Sequence, residues 1–251
     1  MKIGDVSFWY ADIGLPETRR PALQGDARVD VAIIGAGYTG LWSAWYLKQA
    51  RPDLNIIILE KDFAGYGASG RNGGWCMGTF AWDHERYAAT SSRQAVLDMA
   101  AHLRGTVAEI ARVCEEQGID ADFLPTEELM IASNPAQMAR LKSDLAHRHH
   151  WGEVDRVREL SAAEVQQRIS VPGVTGALSI TGMARIQPAK LVRGLADAVE
   201  RAGVRIVEGT EVLSYTSGQV ITAKGTVTAP VILRGTEGFT ATLRAMHKRC
   251  C

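Results

Sequence analysis

The sequence predicts an α/β fold, a βαβ domain interrupted by an α+β insertion and rejoined near the end of the chain. Three observations carry this reading. An apolar run, Val31-Ala32-Ile33-Ile34, enters the turn Gly35-Ala36-Gly37-Tyr38-Thr39-Gly40, and a second apolar run, Ile56-Ile57-Ile58-Leu59, ends on Glu60. Helical periods then dominate from Ser92 onward, mixed with strand patterns. Short strand patterns return after Gly203 and continue to Leu233. Alternation of strands and helices points to a parallel sheet, and the mixed middle stretch to an insertion within it.

Residues 1–28 precede the first strand. Phe8, Trp9 and Tyr10, with prolines at 16 and 21, give an aromatic and turn-rich composition that predicts an irregular, extended arm on the domain surface. The first strand then meets a G-x-G-x-x-G turn with a helix after it, over Leu41 to Gln49. In that context the pattern reads as a Rossmann-like dinucleotide site. Gly35 permits the tight turn, Gly37 lets backbone approach a pyrophosphate, and Gly40 lets helix and strand pack closely. The N–H groups around Tyr38 and Thr39, at the positive end of the helix dipole, favour an anion without a basic side chain. Glu60 follows Gly40 by about twenty residues, the spacing of an acid that accepts hydrogen bonds from ribose hydroxyls and disfavours a 2′-phosphate. A membrane span over Val31 to Leu47 is the competing reading. It is short for a span, carries Thr39 and Ser43, and has three glycines where the Rossmann turn needs them.

The loop after Glu60 runs from Lys61 to Trp75 and is dense in glycine. Its bland reading is a flexible linker, which the embedded Arg71 and Trp75 argue against. Backbone N–H groups at Gly67 and its neighbours can cradle oxygens, Arg71 can supply positive charge, and Gly73-Gly74 can admit a flat ring. Downstream, Ser92 to Gln117 has a helical period ended by Gly118. Phe123 to Ile131 reads as a strand, and Asn134-Pro135 opens a helix reaching about His149. Ser161-Ala162-Ala163-Glu164 is a capping box that starts a short helix. Gly176 to Ile180 is a strand candidate, and Pro188 to Ala202 a helix ended by Gly203. Strands follow at Val204 to Glu208, Glu211 to Tyr215, Gln219 to Ala223 and Pro230 to Leu233.

Composition excludes several classes of function. Lys plus Arg and Asp plus Glu are each 28, so no basic field invites nucleic acid or an anionic membrane. Without a signal-peptide pattern the expected location is cytoplasmic. Cysteines 76, 114, 250 and 251 form neither a disulfide framework nor a zinc spacing. His147, His149 and His150 match no common ligand pair, so no metal is expected. Trp42 and Trp45 read as packing residues, while Trp75 is balanced between packing and bordering a ligand. No G-x-S-x-G surrounds Ser43 or Ser69, which disfavours a hydrolase.

Three segments together, Asp30 to Leu41, Leu59-Glu60-Lys61, and Gly67-Ala68-Ser69-Gly70-Arg71-Asn72-Gly73-Gly74, resemble the FAD-dependent oxidoreductases of the D-amino acid oxidase type, in the branch containing gamma-glutamylputrescine oxidoreductase. Gln187 to Ala196, Gly203 to Ile206, Glu211-Val212 and Val227 to Leu233 extend the likeness. The resemblance implies an FAD-binding domain over 29–80 and 186–243, a partial substrate or cap domain over 81–185, and an irregular tail over 244–251. It also implies that Val212 meets the adenine through its backbone and that Gly235 to Thr240, with Thr236 and Gly238, lies against the dinucleotide. Lys61, Ser69, Asn72 and Gly73 are cofactor contacts on the same basis. Relatives of this type run longer, so the resemblance implies that the C-terminal part of the family fold is missing here.

The implied chemistry is oxidation of the C–N bond of an amine or amino acid by hydride transfer to flavin, with oxygen or another acceptor as the oxidant. No catalytic acid or base is identifiable. Two alternatives stand beside this: a truncated, non-catalytic adenine-dinucleotide-binding remnant, and an NAD-dependent dehydrogenase.

Overall fold

The computed structural model describes residues 6–79 and 83–243. The tail expected over 244–251, with Cys250 and Cys251, lies outside the described residues. In chain order, the first elements are α1 (Phe8–Ile13), β1 (Ala27–Arg28), β2 (Val31–Ile34), α2 (Tyr38–Ala50), β3 (Ile56–Leu59) and β4 (Trp75–Met77). Next come α3 (His84–Thr90), α4 (Arg93–Gln117), β5 (Leu124–Ala132), α5 (Pro135–His150), β6 (Val157–Ser161), α6 (Ala162–Gln166) and β7 (Gly176–Arg185). The chain continues with α7 (Pro188–Arg201), β8 (Arg205–Val207), β9 (Val212–Thr216), β10 (Gln219–Thr222), β11 (Gly225–Thr228) and β12 (Val231–Arg234). Two compact units result, one from residues 1–73, 114–121 and 187–251, the other from 74–113 and 122–186.

The first unit is built on a parallel sheet of order β12-β2-β3-β8, with Val31 opposite Ile56 on one side and Val231 on the other. All four residues of β2 and of β3 are buried, as expected of parallel strands covered on both faces. On one face Ala32, Ile34, Ile57 and Leu59 pack with Val212, Val220 and Val227 of the antiparallel sheet β1-β11-β10-β9. The alternate residues face helices: a Cβ added at Gly40 of α2 would lie 3.1 Å from Ile33 Cγ2. Helix α7 buries an apolar stripe that includes Leu191, Val192, Leu195 and Val199. Its Gly194 leaves room for Ile119, whose Cγ2 would be 2.4 Å from an added Cβ.

The arm is more ordered than its composition predicts. Ser7 caps α1 by accepting from Tyr10 N at 3.4 Å, Gly14 ends it at φ 78°, and β1 pairs in parallel with β11. Helix α1 is too short to show a periodic pattern, and the partners of its buried Tyr10 lie far away in sequence. β11 is a further strand that the sequence reading lacked. It forms a hairpin with β10 across Thr222 and Gly225.

In the second unit the long strand β7 pairs antiparallel with β5 along one edge and with β6 and β4 along the other. β7 continues past Ile180, where Thr181-Gly182 interrupts the apolar pattern and the β5 ladder shifts register between Thr126 and Glu128. Leu141 of α5 packs with Val157, Leu178 and Ile180, and Met138 and Leu145 add to that cluster. The capping box at Ser161 and Glu164 is formed, both reciprocal bonds being present. Strands β4 and β6 and helix α3 are short elements without a distinct local pattern. Among the described residues no helix is long and apolar enough to cross a membrane.

Candidate functional site

The turn after β2 shows why three glycines stand there. Gly35 has φ 101°, and a Cβ on it would lie 2.6 Å from the carbonyl oxygen of Gly235. A Cβ on Gly40 would lie 2.1 Å from the carbonyl oxygen of Gly35, so close packing of helix on turn requires glycine. Gly37 is the N-cap of α2 with extended backbone and has no side chain to bond the helix amides. Its place is taken by Ser69, whose Oγ accepts from Tyr38 N at 2.8 Å. The open end of α2 therefore carries one hydroxyl acceptor and the partial positive charge of the helix terminus.

Glu60 closes β3 and is tied back to this turn. One carboxylate oxygen accepts from Ala36 N and the other from Asp62 N, each at 2.9 Å. Burial pushes its pKa above the usual glutamate range, with the two backbone hydrogen bonds acting against that shift. Its backbone is pinned as well, donating to Val207 O at 2.9 Å and accepting from Thr210 N at 2.8 Å. Lys61 pairs with Glu211 at 2.8 Å, and that hydrogen bond holds the ammonium above the ordinary lysine range.

These pieces line a cleft of ≈ 530 Å³ at the carboxyl ends of β2, β3 and β12. That is where an open α/β sheet binds ligands, at the switch between strands running to either side of β2. Of the residues picked out from sequence, Gly35, Gly37, Tyr38, Thr39, Glu60, Lys61, Gly67, Ser69, Val212 and Thr236 line it. Gly40 sits behind the lining, against Gly35 and Ile33. Arg71 donates to Tyr66 O at 2.6 Å and stacks over the Tyr66 ring at 4.5 Å. The Asn72 side chain turns to the carbonyls of Ala68 and Ser69. Gly73 has open space around it, and Gly74 belongs to the second unit, where its carbonyl accepts from Ile186 N. Gly238 donates its N–H to the carboxylate of Glu237.

Several further residues line the cleft, of which Glu237 and Phe239 lie in the segment 235–240 expected against the dinucleotide. Asp62, Tyr66, Thr210, Glu211, Glu237 and Phe239 are placed by tertiary contacts. The arm also braces the site. Tyr10 packs beneath the loop, where a Cβ on Gly65 would meet its Oη at 2.8 Å and one on Gly70 its Cε2 at 2.8 Å. Ser7 Oγ donates to Gly70 O at 2.8 Å and Trp9 Nε1 to Asn72 O at 2.6 Å. Glu208, 2 % exposed, accepts from Ala64 N in the loop and from the backbone and guanidinium of Arg20 in the arm.

No histidine among the described residues lines this cleft. His147 Nε2 lies 3.4 Å from His84 Nδ1, and His149 Nε2 lies 3.1 Å from the carbonyl of Val157. Among the described residues no cluster of three or more His, Cys, Asp or Glu could hold a metal ion. The arrangement offers an anion-attracting helix end, a glycine surface for close backbone approach and a fixed carboxylate some residues away. Together they suit the pyrophosphate and ribose of a dinucleotide.

The chain is similar to known proteins over most of its length. A family model described as DAO, FAD dependent oxidoreductase, matches residues 30–248. Gamma-glutamylputrescine oxidoreductase of Escherichia coli (strain K12) is 32% identical over 235 residues, covering 91% of this chain and 53% of that protein. A probable oxidoreductase OrdL of Rhizobium meliloti (strain 1021) is 31% identical, covering 94% of this chain and 55% of its own length. The crystal structure of glycine oxidase from Geobacillus kaustophilus superposes with a TM-score of 0.72 at 26% identity, covering 88% of this chain and 59% of that one. The chain thus spans about half the length of the curated relatives it matches.

Proposed function

Because the chain belongs to the FAD-dependent oxidoreductase family, we propose that its first unit holds FAD and that the protein oxidises the C–N bond of an amine or amino acid. The observation that carries this reading is the cleft itself. The glycines at 35, 37 and 40 leave a cradle at the end of α2, and Glu60 stands fixed beside it. The fit is good on the protein's side. Any Cβ at Gly35 or Gly40 would strike backbone, so these positions keep the turn close to whatever lies over it. The α2 N-terminus and Ser69 hold the diphosphate, Glu60 takes the ribose hydroxyls, and the backbone at Val212 faces the adenine. Arg71, Asn72, Gly73 and Gly74 belong to the flavin side in this reading.

The chemistry that bound FAD supplies is acceptance of a hydride from the carbon next to a neutral amine, leaving an imine that water hydrolyses. The chain's own residues bind and orient. Relatives named as acting on gamma-glutamylputrescine or glycine support an amine or amino-acid substrate. Oxygen or another acceptor completes the cycle, and the buried thiols of Cys76 and Cys114 fit a cytoplasmic setting.

A second reading is a dinucleotide binder without turnover. One experiment separates the two. The purified chain is titrated with FAD, followed by visible spectrum and flavin fluorescence, and then given candidate amines without oxygen. Bleaching of bound flavin by an amine supports the oxidoreductase; bound flavin that no amine bleaches supports the binder; absence of any flavin binding overturns both.

A further inference from the structure

Glu237 stands on the rim of the cleft with φ 43°, one of two non-glycine residues with positive φ among the described residues. Glycine and asparagine enter this left-handed region readily and glutamate does not, so an unfavourable backbone persists at a ligand-facing position. The segment it stands on is pressed against the anion-attracting end of α2. A Cβ on Gly235 would lie 3.3 Å from Gly40 N and 3.4 Å from Thr39 Cβ.

The charge pattern around it is unusual for a diphosphate site. Glu60, Asp62, Glu211 and Glu237 line the cleft, and Lys61 is the lining cation. That cation is already paired with Glu211. Glu60 spends its carboxylate on two backbone N–H groups, whereas the Glu237 side chain is exposed and bonds Gly238 N of its own turn. The cradle thus attracts phosphate through backbone and helix dipole while its rim carries an added negative charge.

We infer that Glu237 is a specificity-determining residue that weakens diphosphate-bearing ligands relative to uncharged nucleosides in the same cleft. The inference rests on the reading of this cleft as the FAD site. A like charge near the phosphates lowers their affinity by an amount that salt screens, and leaves an uncharged nucleoside untouched. Glu237→Gln removes the charge and keeps the backbone problem; Glu237→Gly removes both.

The test is calorimetric titration of the full chain and both variants with FAD, ADP and adenosine at low and high salt. Both variants are expected to bind ADP and FAD roughly three- to tenfold more tightly than the parent, with adenosine unchanged and the gain shrinking as salt rises. Glu237→Gly is also expected to melt a few degrees higher, because only it relieves the backbone. Adenosine binding with an unmoved ADP-to-adenosine ratio in Glu237→Gln would overturn the inference and leave the FAD site standing. Absence of binding by all three ligands to parent and variants would overturn the site and the inference together.

Discussion

Glycines within one turn answer differently to a methyl group. At Gly40 an added Cβ lies 2.1 Å from backbone that cannot yield, whereas at Gly37 it lies 2.9 Å from Ser69 Oγ, the movable end of a short side chain. Gly40→Ala is therefore expected to cost about 3 kcal/mol of stability or more, read by denaturant unfolding. Gly37→Val is expected to keep most of the stability and lose FAD binding by at least about a hundredfold, because its side chain fills the pyrophosphate approach. Equal losses of stability in the two variants would contradict the division of roles. Tyr10 provides a pH test. Burial pushes its phenol up to about 12, and its Oη has no hydrogen-bond partner. Since the folded value lies above the unfolded one, the stability it contributes is present below about pH 10 and lost as pH rises through about 12. Tyr10→Phe should flatten that alkaline loss and leave stability at neutral pH unchanged or slightly raised, measured as melting temperature against pH. An unchanged alkaline slope would remove Tyr10 from the account.

Among the elements, the β2-α2-β3 unit was legible because each of its signals is local. Four apolar residues make a buried strand, glycines at fixed spacing make the turn, and Glu60 closes the second strand. The arm was not legible in this way. Its helix is six residues long, and what orders it lies more than fifty residues away at Gly65, Gly70 and Asn72, or near the other end of the chain at Gln187, Glu200 and Glu208. The ion pair of Glu211 with Lys61 and the left-handed backbone of Glu237 were hidden for the same reason, since no local pattern reports either. Arg20 gives the arm an energetic test. Its removal leaves Glu208 buried without its cation, so Arg20→Met is expected to cost about 3–5 kcal/mol in unfolding free energy. Because Glu208 also holds Ala64 N, FAD affinity should fall as well, and Arg20→Lys should recover part of both. A loss below about 1 kcal/mol would mean that the arm is not a brace.

At the scale of the whole molecule, the family is established over residues 30–248, and the described sheets frame a cleft within one unit. The relatives carry roughly as much chain again. An FAD site formed by the β2-α2-β3 turn and Glu60 is probed by titrating the parent chain, Gly37→Val and Glu60→Ala with FAD under one set of conditions. Measurable binding by the parent is expected, with a loss of roughly ten- to a hundredfold for Glu60→Ala and no detectable binding by Gly37→Val in a protein that still unfolds cooperatively. Parent-like FAD affinity in a folded Gly37→Val protein would contradict it.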